Sequence, residues 1–117
     1  MSENRREFFR VTFDNTIEGK LTMLPGRDVM HINIENVSVT GLKFLSSVEI
    51  PLLQKVECSF EVMDCAFLVD GSIIRKVVNE VEFEYGVGFD IDQDTSSLLF
   101  KQLNFHMIRQ RRGRNED

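Results

Sequence analysis

Residues 55–78 read KVECSFEVMDCAFLVDGSIIRKVV, and they carry the clearest strand pattern in the chain. Apolar side chains and one glycine recur at every second position on either side of Met63-Asp64: Val56, Cys58, Phe60 and Val62 before it, and Phe67, Val69, Gly71 and Ile73 after it. A period of two is the pattern of a half-buried β-strand. The stretch therefore predicts two strands that run to about Val78, joined by a tight connection at Met63-Asp64.

The same alternation continues on both sides of this hairpin. It predicts strands over residues 16–23, 29–35, 42–45 and 81–91, the last with Val81 facing inward. Turns are expected at Pro25-Gly26 and Asn79-Glu80, and a loop over residues 36–41. Six short strands joined by turns favour a sandwich or a closed barrel, spanning residues 11–92, and ten Phe with no Trp predict a Phe-rich core.

After Asp94 the period changes to that of a helix. Asp94-Thr95-Ser96-Ser97 offers capping side chains, and we predict a helix over residues 95–110. It carries two apolar stripes, the first formed by Leu99, Leu103 and Met107 and the second by Leu98, Phe105 and Ile108. Two stripes are more than one packing face needs. Either the helix docks deeply on its own barrel, or it also buries a face in a homodimer.

Length and composition set the class of protein. A chain of 117 residues fits one domain, no apolar run approaches 18 residues, and the start of the chain lacks the apolar stretch of a signal peptide. We therefore expect a cytoplasmic single-domain protein without a membrane span. Cys58 and Cys65 are expected to be reduced thiols, and no cofactor or metal site is expected, because His31 and His106 lack ligand spacing to them.

Charge and side-chain chemistry exclude several functions. The net charge is −5, with seven basic and fifteen acidic residues in the middle, 11–108, against an excess of +3 at the two ends. An acidic middle argues against general nucleic-acid binding. No nucleophile–base constellation and no glycine-rich phosphate loop is present, so we do not expect an enzyme.

Two short segments carry the functional chemistry. The first places Arg5, Arg6 and Arg10 before the first predicted strand, and guanidinium groups form two-pronged hydrogen bonds to phosphate and to the O6/N7 edge of guanine. The second, Asn36-Val37-Ser38-Val39-Thr40-Gly41, joins an amide, a hydroxyl and a glycine in a polar turn. Each segment alone is a weak signal. A basic arm is common, and a Gly in such a turn often just supplies an unusual backbone angle.

Together the two segments resemble the signature of the PilZ family, RxxxR followed by (D/N)xSxxG. Arg6-x-x-x-Arg10 and Asn36-x-Ser38-x-x-Gly41 fill all five positions, and Gly71 to Arg75 and Tyr85 to Phe89 resemble the late strands of that family. The resemblance implies a mainly β protein: a six-stranded antiparallel barrel with a C-terminal helix. It also implies a receptor for cyclic di-GMP, in which Arg6 and Arg10 clamp the ligand and Asn36, Ser38 and Gly41 read a guanine.

The resemblance also raises finer expectations. Arg5, directly before the motif, predicts two stacked ligand molecules per site, because the four phosphates of two molecules favour a third cation. Arg75 either covers the ligand or is an ordinary exposed strand residue. The basic tail, residues 111–117, together with Arg109 is either solvated charge near the negative end of the helix or a contact for the ligand or an acidic partner.

We expect the arginine-rich arm, residues 1–10, to be flexible and to become ordered around the anion. This change would signal to a protein partner that no motif identifies. The alternative is a PilZ-fold interaction adaptor with little or no ligand binding, although such domains usually lose the motif arginines.

Overall fold

The computed structural model describes the backbone of residues 9–115 and the side chains of residues 9–113. Six antiparallel strands close into a barrel in the order β1-β2-β3-β6-β5-β4, and one helix follows them. Their bounds are β1 Arg10–Met23, β2 Asp28–Ser38, β3 Gly41–Ser46, β4 Lys55–Val62, β5 Cys65–Val78, β6 Phe83–Asp90 and α1 Gln93–Asn115. The predicted fold class is confirmed, and β1 closes the barrel by pairing with both β2 and β4.

The interior of the barrel is filled by the alternating positions that the sequence predicts. Val56, Cys58, Phe60 and Val62 of β4 are all buried, as are Phe67, Val69, Gly71 and Ile73 of β5. Aromatic rings pack against one another there, with Phe60 stacked on Phe67 and on Phe89. The predicted Phe-rich core is confirmed.

The hairpin between β4 and β5 is as tight as predicted. Val62 pairs with Cys65, and both Met63 and Asp64 adopt left-handed backbone angles, with φ of 54° and 63°. Two successive positive φ values are the mark of a turn whose twist matches that of its strands. The inward orientation predicted for Val81 is wrong: the residue is 87% exposed, because the Asn79–Glu82 turn delays the start of β6 to Phe83.

The helix is longer at both ends than the predicted 95–110. It begins at Gln93 because Asp92, rather than a residue of 94–97, is its N-cap and accepts a hydrogen bond from the Thr95 amide at 2.7 Å. It continues to Asn115, so the first five residues of the predicted tail are helical. Arginine favours a helix, and Gly113 does not end it. No helix in residues 9–115 is long and apolar enough to cross a membrane.

The two apolar stripes of the helix have different environments. Leu99 and Leu103 of the first stripe are fully buried against the barrel. The second stripe is exposed: Leu98 by 42%, Phe105 by 45% and Ile108 by 40%. The alternative in which the whole helix docks deeply on its own barrel is therefore wrong, because the second stripe is not buried there.

Candidate ligand-binding site

The first residue of β1 meets the last residues of β2. Arg10 pairs with Ser38 in the sheet and is therefore the start of the barrel, not the end of the arm as predicted. Its guanidinium donates to Asn36 Oδ1 at 2.5 Å and to Ser38 Oγ at 3.2 Å. The pairing of β1 with β2 thus brings one arginine of the first motif onto two polar side chains of the second.

The second motif is mostly strand rather than the predicted loop. Asn36 and Ser38 belong to β2, Gly41 begins β3, and only Val39 and Thr40 lie between the strands. The Ser38 hydroxyl accepts a hydrogen bond from the Thr40 amide at 3.1 Å and lies 2.9 Å from Thr40 Oγ1. Strand pairing on one side and this local turn on the other hold the Ser38 hydroxyl in place.

Gly41 permits a close approach between two strands. A Cβ atom built at this residue would lie 2.0 Å from the carbonyl oxygen of Val87 in β6. The described glycines all have ordinary φ, so Gly41 is not required for an unusual backbone angle. It is required because only a hydrogen atom fits between β3 and β6 at this point.

Gly41 lies in a row of paired residues that runs around the whole barrel. Ser38 pairs with Gly41, Gly41 with Gly88 and Gly88 with Ser72, and the row ends in Arg10 on β1 and Lys55 on β4. The four central members of the row are glycine or serine, and the residue at each end is cationic. Sequence reasoning missed Lys55, Ser72 and Gly88 because strand register, which aligns them with the motif, is not visible in a linear pattern.

The structure does not bring Arg75 to Arg10. Arg75 lies on the neighbouring row, in which Asn36 pairs with Lys43, Lys43 with Gly86 and Gly86 with Arg75. Measured around the sheet, three strand spacings separate it from Asn36, about 14 Å. Its side chain is exposed and lies over Gly86, whose missing Cβ would sit 3.2 Å from Arg75 Cβ. Arg5 and Arg6 lie outside the described residues.

The electrostatics of the site favour an anion at the Arg10 end. Burial lowers the pKa of Arg10, the expected direction for a cation partly removed from water. Its hydrogen-bond partners Asn36 and Ser38 are uncharged, so these contacts leave its positive charge unneutralised. A guanidinium has five N–H groups, and these two contacts do not exhaust them.

Beside the site, β2 and β6 carry a pair of carboxylates. Burial raises the pKa of Glu35, and a hydrogen bond and charge repulsion from Glu84 raise it further. Lys43 forms an ion pair with Glu84 at 3.5 Å and opposes this rise. Glu35 is the neighbour of Asn36 in sequence, whereas Glu84 lies on β6, so the pair places negative charge beside the motif residues.

A cleft at the Lys55 end of the row is not the best place for an anion. It has a volume of about 680 Å³, and Lys55, Ser72 and Gly88 of the row line it. Asp70 and Asp90 also line it and stand opposite each other on β5 and β6. Two adjacent carboxylates repel a phosphate, so the Arg10 end of the row is the better anion site. Among residues 9–113 no cluster of metal-ligating side chains occurs.

The helix is fastened to the strand that carries Arg10. The side-chain amide of Gln110 accepts from the Asp14 amide at 2.8 Å and donates to the Thr12 carbonyl at 3.0 Å. These contacts span the irregularity in β1 between Thr12 and Ile17, where pairing with β2 is interrupted. On the other side of Arg10, the ring of Phe9 packs edge-on against Phe100, with centroids 5.4 Å apart.

A closed six-stranded antiparallel barrel with a C-terminal helix and a polar β2–β3 turn defines a class of small β-barrel domains. The sequence model of the PilZ domain matches residues 4–105, most of the chain, and the protein belongs to the PilZ family. No curated protein matches the sequence at a significant level.

Solved structures share the fold at low sequence identity. The PilZ domain of YcgR from Escherichia coli, solved with c-di-GMP, is 16% identical, with a TM-score of 0.71 over 97% of this chain and 99% of that one. The inhibitor of motility MotI/DgrA from Bacillus subtilis is 10% identical, with a TM-score of 0.72 over 93% of this chain and 54% of that one. PlzA from Borreliella burgdorferi, in complex with c-di-GMP, is 19% identical, with a TM-score of 0.63 over 86% of this chain and 41% of that one. The chain thus spans about half or less of the MotI/DgrA and PlzA chains.

Proposed function

We propose that this protein is a receptor for c-di-GMP that binds the ligand at the Arg10 end of the residue row. The observation that carries the proposal is the contact of the Arg10 guanidinium with Asn36 and Ser38. It joins the two motif segments in one place, with Gly41 beside them. Membership of the PilZ family and the c-di-GMP complexes of YcgR and PlzA support the same ligand.

The chemistry of these side chains suits a guanine nucleotide with phosphates. Arginine presents parallel N–H donors to phosphate oxygens and to the O6/N7 edge of guanine, and it stacks on flat rings. The Asn36 carboxamide, held by Arg10 through its oxygen, keeps its NH₂ group to donate to an acceptor on the base. In this proposal Arg6 completes the clamp with Arg10, and Arg5 provides the charge for a second stacked ligand molecule.

The proposal includes a signal to a partner. The strand that begins at Arg10 is tied to α1 through Gln110, and Phe9 contacts the same helix at Phe100. A ligand that reorganises the segment around Arg10 therefore acts on both attachments of the helix. In this proposal the partner is a protein that recognises the helix surface after the ligand has bound.

The test is a calorimetric titration of c-di-GMP into the purified protein and into Arg10→Ala and Ser38→Ala. A hydrogen bond to a charged group contributes about 1.5–3 kcal/mol, so Arg10→Ala is expected to weaken binding on the order of 10- to 100-fold. Arg109→Ala is the matched control, because it removes the same charge from an exposed position on the helix. It is expected to bind as the parent does.

The outcome separates the receptor from the alternative adaptor function. Binding that Arg10→Ala weakens and Arg109→Ala retains supports the receptor. A folded parent that does not bind c-di-GMP refutes it and leaves the adaptor. A stoichiometry of two, reduced to one by Arg5→Ala, supports the stacked pair, whereas a parent stoichiometry of one rejects it. If Arg75 contacts the ligand, Arg75→Ala weakens c-di-GMP binding. If Arg75 is an ordinary exposed strand residue, Arg75→Ala binds as the parent does.

A further inference from the structure

The exposed face of α1 carries a regular seam. Six residues follow one another at spacings of 4, 3, 4, 3 and 4: Asp94, Leu98, Lys101, Phe105, Ile108 and Arg112. This alternation is the a/d spacing by which one helix packs along another. The three apolar members are between 40% and 45% exposed, and the three charged members are exposed as well.

The seam points away from the barrel. Leu99 and Leu103, which are fully buried, and Gln110, which binds β1, lie on the opposite face of the helix. A second helix can therefore lie along the seam without displacing the contacts of Leu99, Leu103 and Gln110 with the barrel. The barrels of the two chains would flank the helix pair on its outer sides.

We propose that the occupant of this seam is the same helix of a second copy of the chain, packed antiparallel about a two-fold axis near Leu103. The sequence is self-complementary in this register. Leu98 faces Ile108 of the second copy, Lys101 faces Phe105, and Asp94 faces Arg112, each pair occurring twice by symmetry. The first pair is apolar. In the second, the lysine stem and ammonium group pack on the aromatic ring, and the third joins opposite charges.

Charge selects the antiparallel direction over the parallel one. A parallel pair would align Arg109, Arg111 and Arg112 of one chain with the same residues of the other, and like charges at close range repel. The antiparallel register places them instead beside the other chain's helix N-terminus: Arg109 near Ser97, Arg111 near Thr95 and Arg112 at Asp94. Opposed helix dipoles favour the same direction.

The size of the seam limits the strength of the pair. The distance from Asp94 to Arg112 is 18 helical steps, about 27 Å. Three apolar residues per helix are few, so the dimer should be in concentration-dependent equilibrium with the monomer. The pairing makes no use of the ligand site and does not depend on the function proposed above.

The first test measures mass against concentration by analytical ultracentrifugation for the parent, Phe105→Lys and Leu68→Lys. Phe105→Lys places two lysines opposite each other and is expected to weaken dimerisation at least tenfold. Leu68 is the matched control, an apolar side chain 64% exposed on β5 of the barrel, and Leu68→Lys should dimerise as the parent does. A parent that stays monomeric up to millimolar concentration, or equal weakening by both variants, would overturn the proposal.

The second test determines direction and register. Leu98→Cys and Ile108→Cys are each made in a Cys65→Ser background, in which only the buried Cys58 thiol remains. A short bismaleimide should cross-link a mixture of the two variants but neither alone, because in the antiparallel register two Leu98 positions are about 15 Å apart along the axis. Cross-linking of Leu98→Cys alone as efficient as that of the mixture would refute the antiparallel register.

Discussion

Replacing Gly41 by alanine tests whether the glycine of the second motif serves the barrel or the ligand. The new methyl group would lie 2.0 Å from the Val87 oxygen and 3.2 Å from the Val87 carbonyl carbon. Ordinary carbon–oxygen contacts need more than 3 Å, so β3 must move away from β6 by about 1 Å. The neighbouring 2.9 Å hydrogen bond from the Phe89 amide to the Thr40 carbonyl lies directly beside this displacement.

The expected loss of stability follows from these contacts. Overpacking at a closely packed position costs about 1–3 kcal/mol, and each weakened strand hydrogen bond adds about 1 kcal/mol. A total of about 3 kcal/mol is expected. For 117 residues the entropy of unfolding is about 0.25 kcal/mol per kelvin, so the melting temperature should fall by about 12 °C.

The assay is thermal and urea unfolding of Gly41→Ala followed by circular dichroism. Gly26→Ala is the control, because a Cβ at Gly26 meets no atom within 4 Å, and its melting temperature should change by less than about 2 °C. If Gly41→Ala unfolds like the parent but loses c-di-GMP binding, the glycine serves the ligand and the steric argument is wrong.

Two further predictions rest on pKa shifts. The pKa of Glu35 is raised, so the stability that its protonated form contributes is complete below the ordinary Glu value and is lost as pH rises through the raised one. Glu35→Gln should therefore reduce this fall of the urea midpoint with rising pH, and an unchanged pH profile would contradict this. Burial raises the pKa of Cys58 to about 12, so at pH 8 roughly one molecule in ten thousand carries its thiolate. In the folded protein the half-buried Cys65 should react with iodoacetamide first, as mass spectrometry will show, and equal labelling of both thiols would refute this.

Much of the barrel could be predicted because its strands alternate strictly. The inward residues of β4 and β5 and the Met63-Asp64 turn follow from a period of two and from turn spacing alone. The start of β1 could not be predicted in the same way. Val11 and Phe13 are buried in alternation, but the pairing with β2 is then interrupted up to Ile17, and the irregular stretch hides the strand before it.

Four residues of the candidate site follow from the motif spacing, but their arrangement does not, and their role in binding stays a prediction. The motif spacing identified Arg10, Asn36, Ser38 and Gly41, and strand pairing brings all four together. The reason for Gly41 was not predictable, because the approach of Val87 depends on which strand β3 pairs with. The register that aligns Ser72 and Gly88 with the motif is likewise a property of the closed sheet, in which sequence neighbours are not spatial neighbours.

The Gln110 bridge makes one backbone amide a natural reporter. Asp14 lies where β1 lacks regular pairing with β2, and its amide hydrogen bond goes to a helix side chain instead of a strand. The rate at which this amide exchanges with deuterium therefore follows the docking of the helix and not the opening of the sheet. Comparing the exchange rate of Asp14 with that of a core amide such as Leu21 separates helix release from global unfolding in one exchange experiment, with no reporter group attached to the protein.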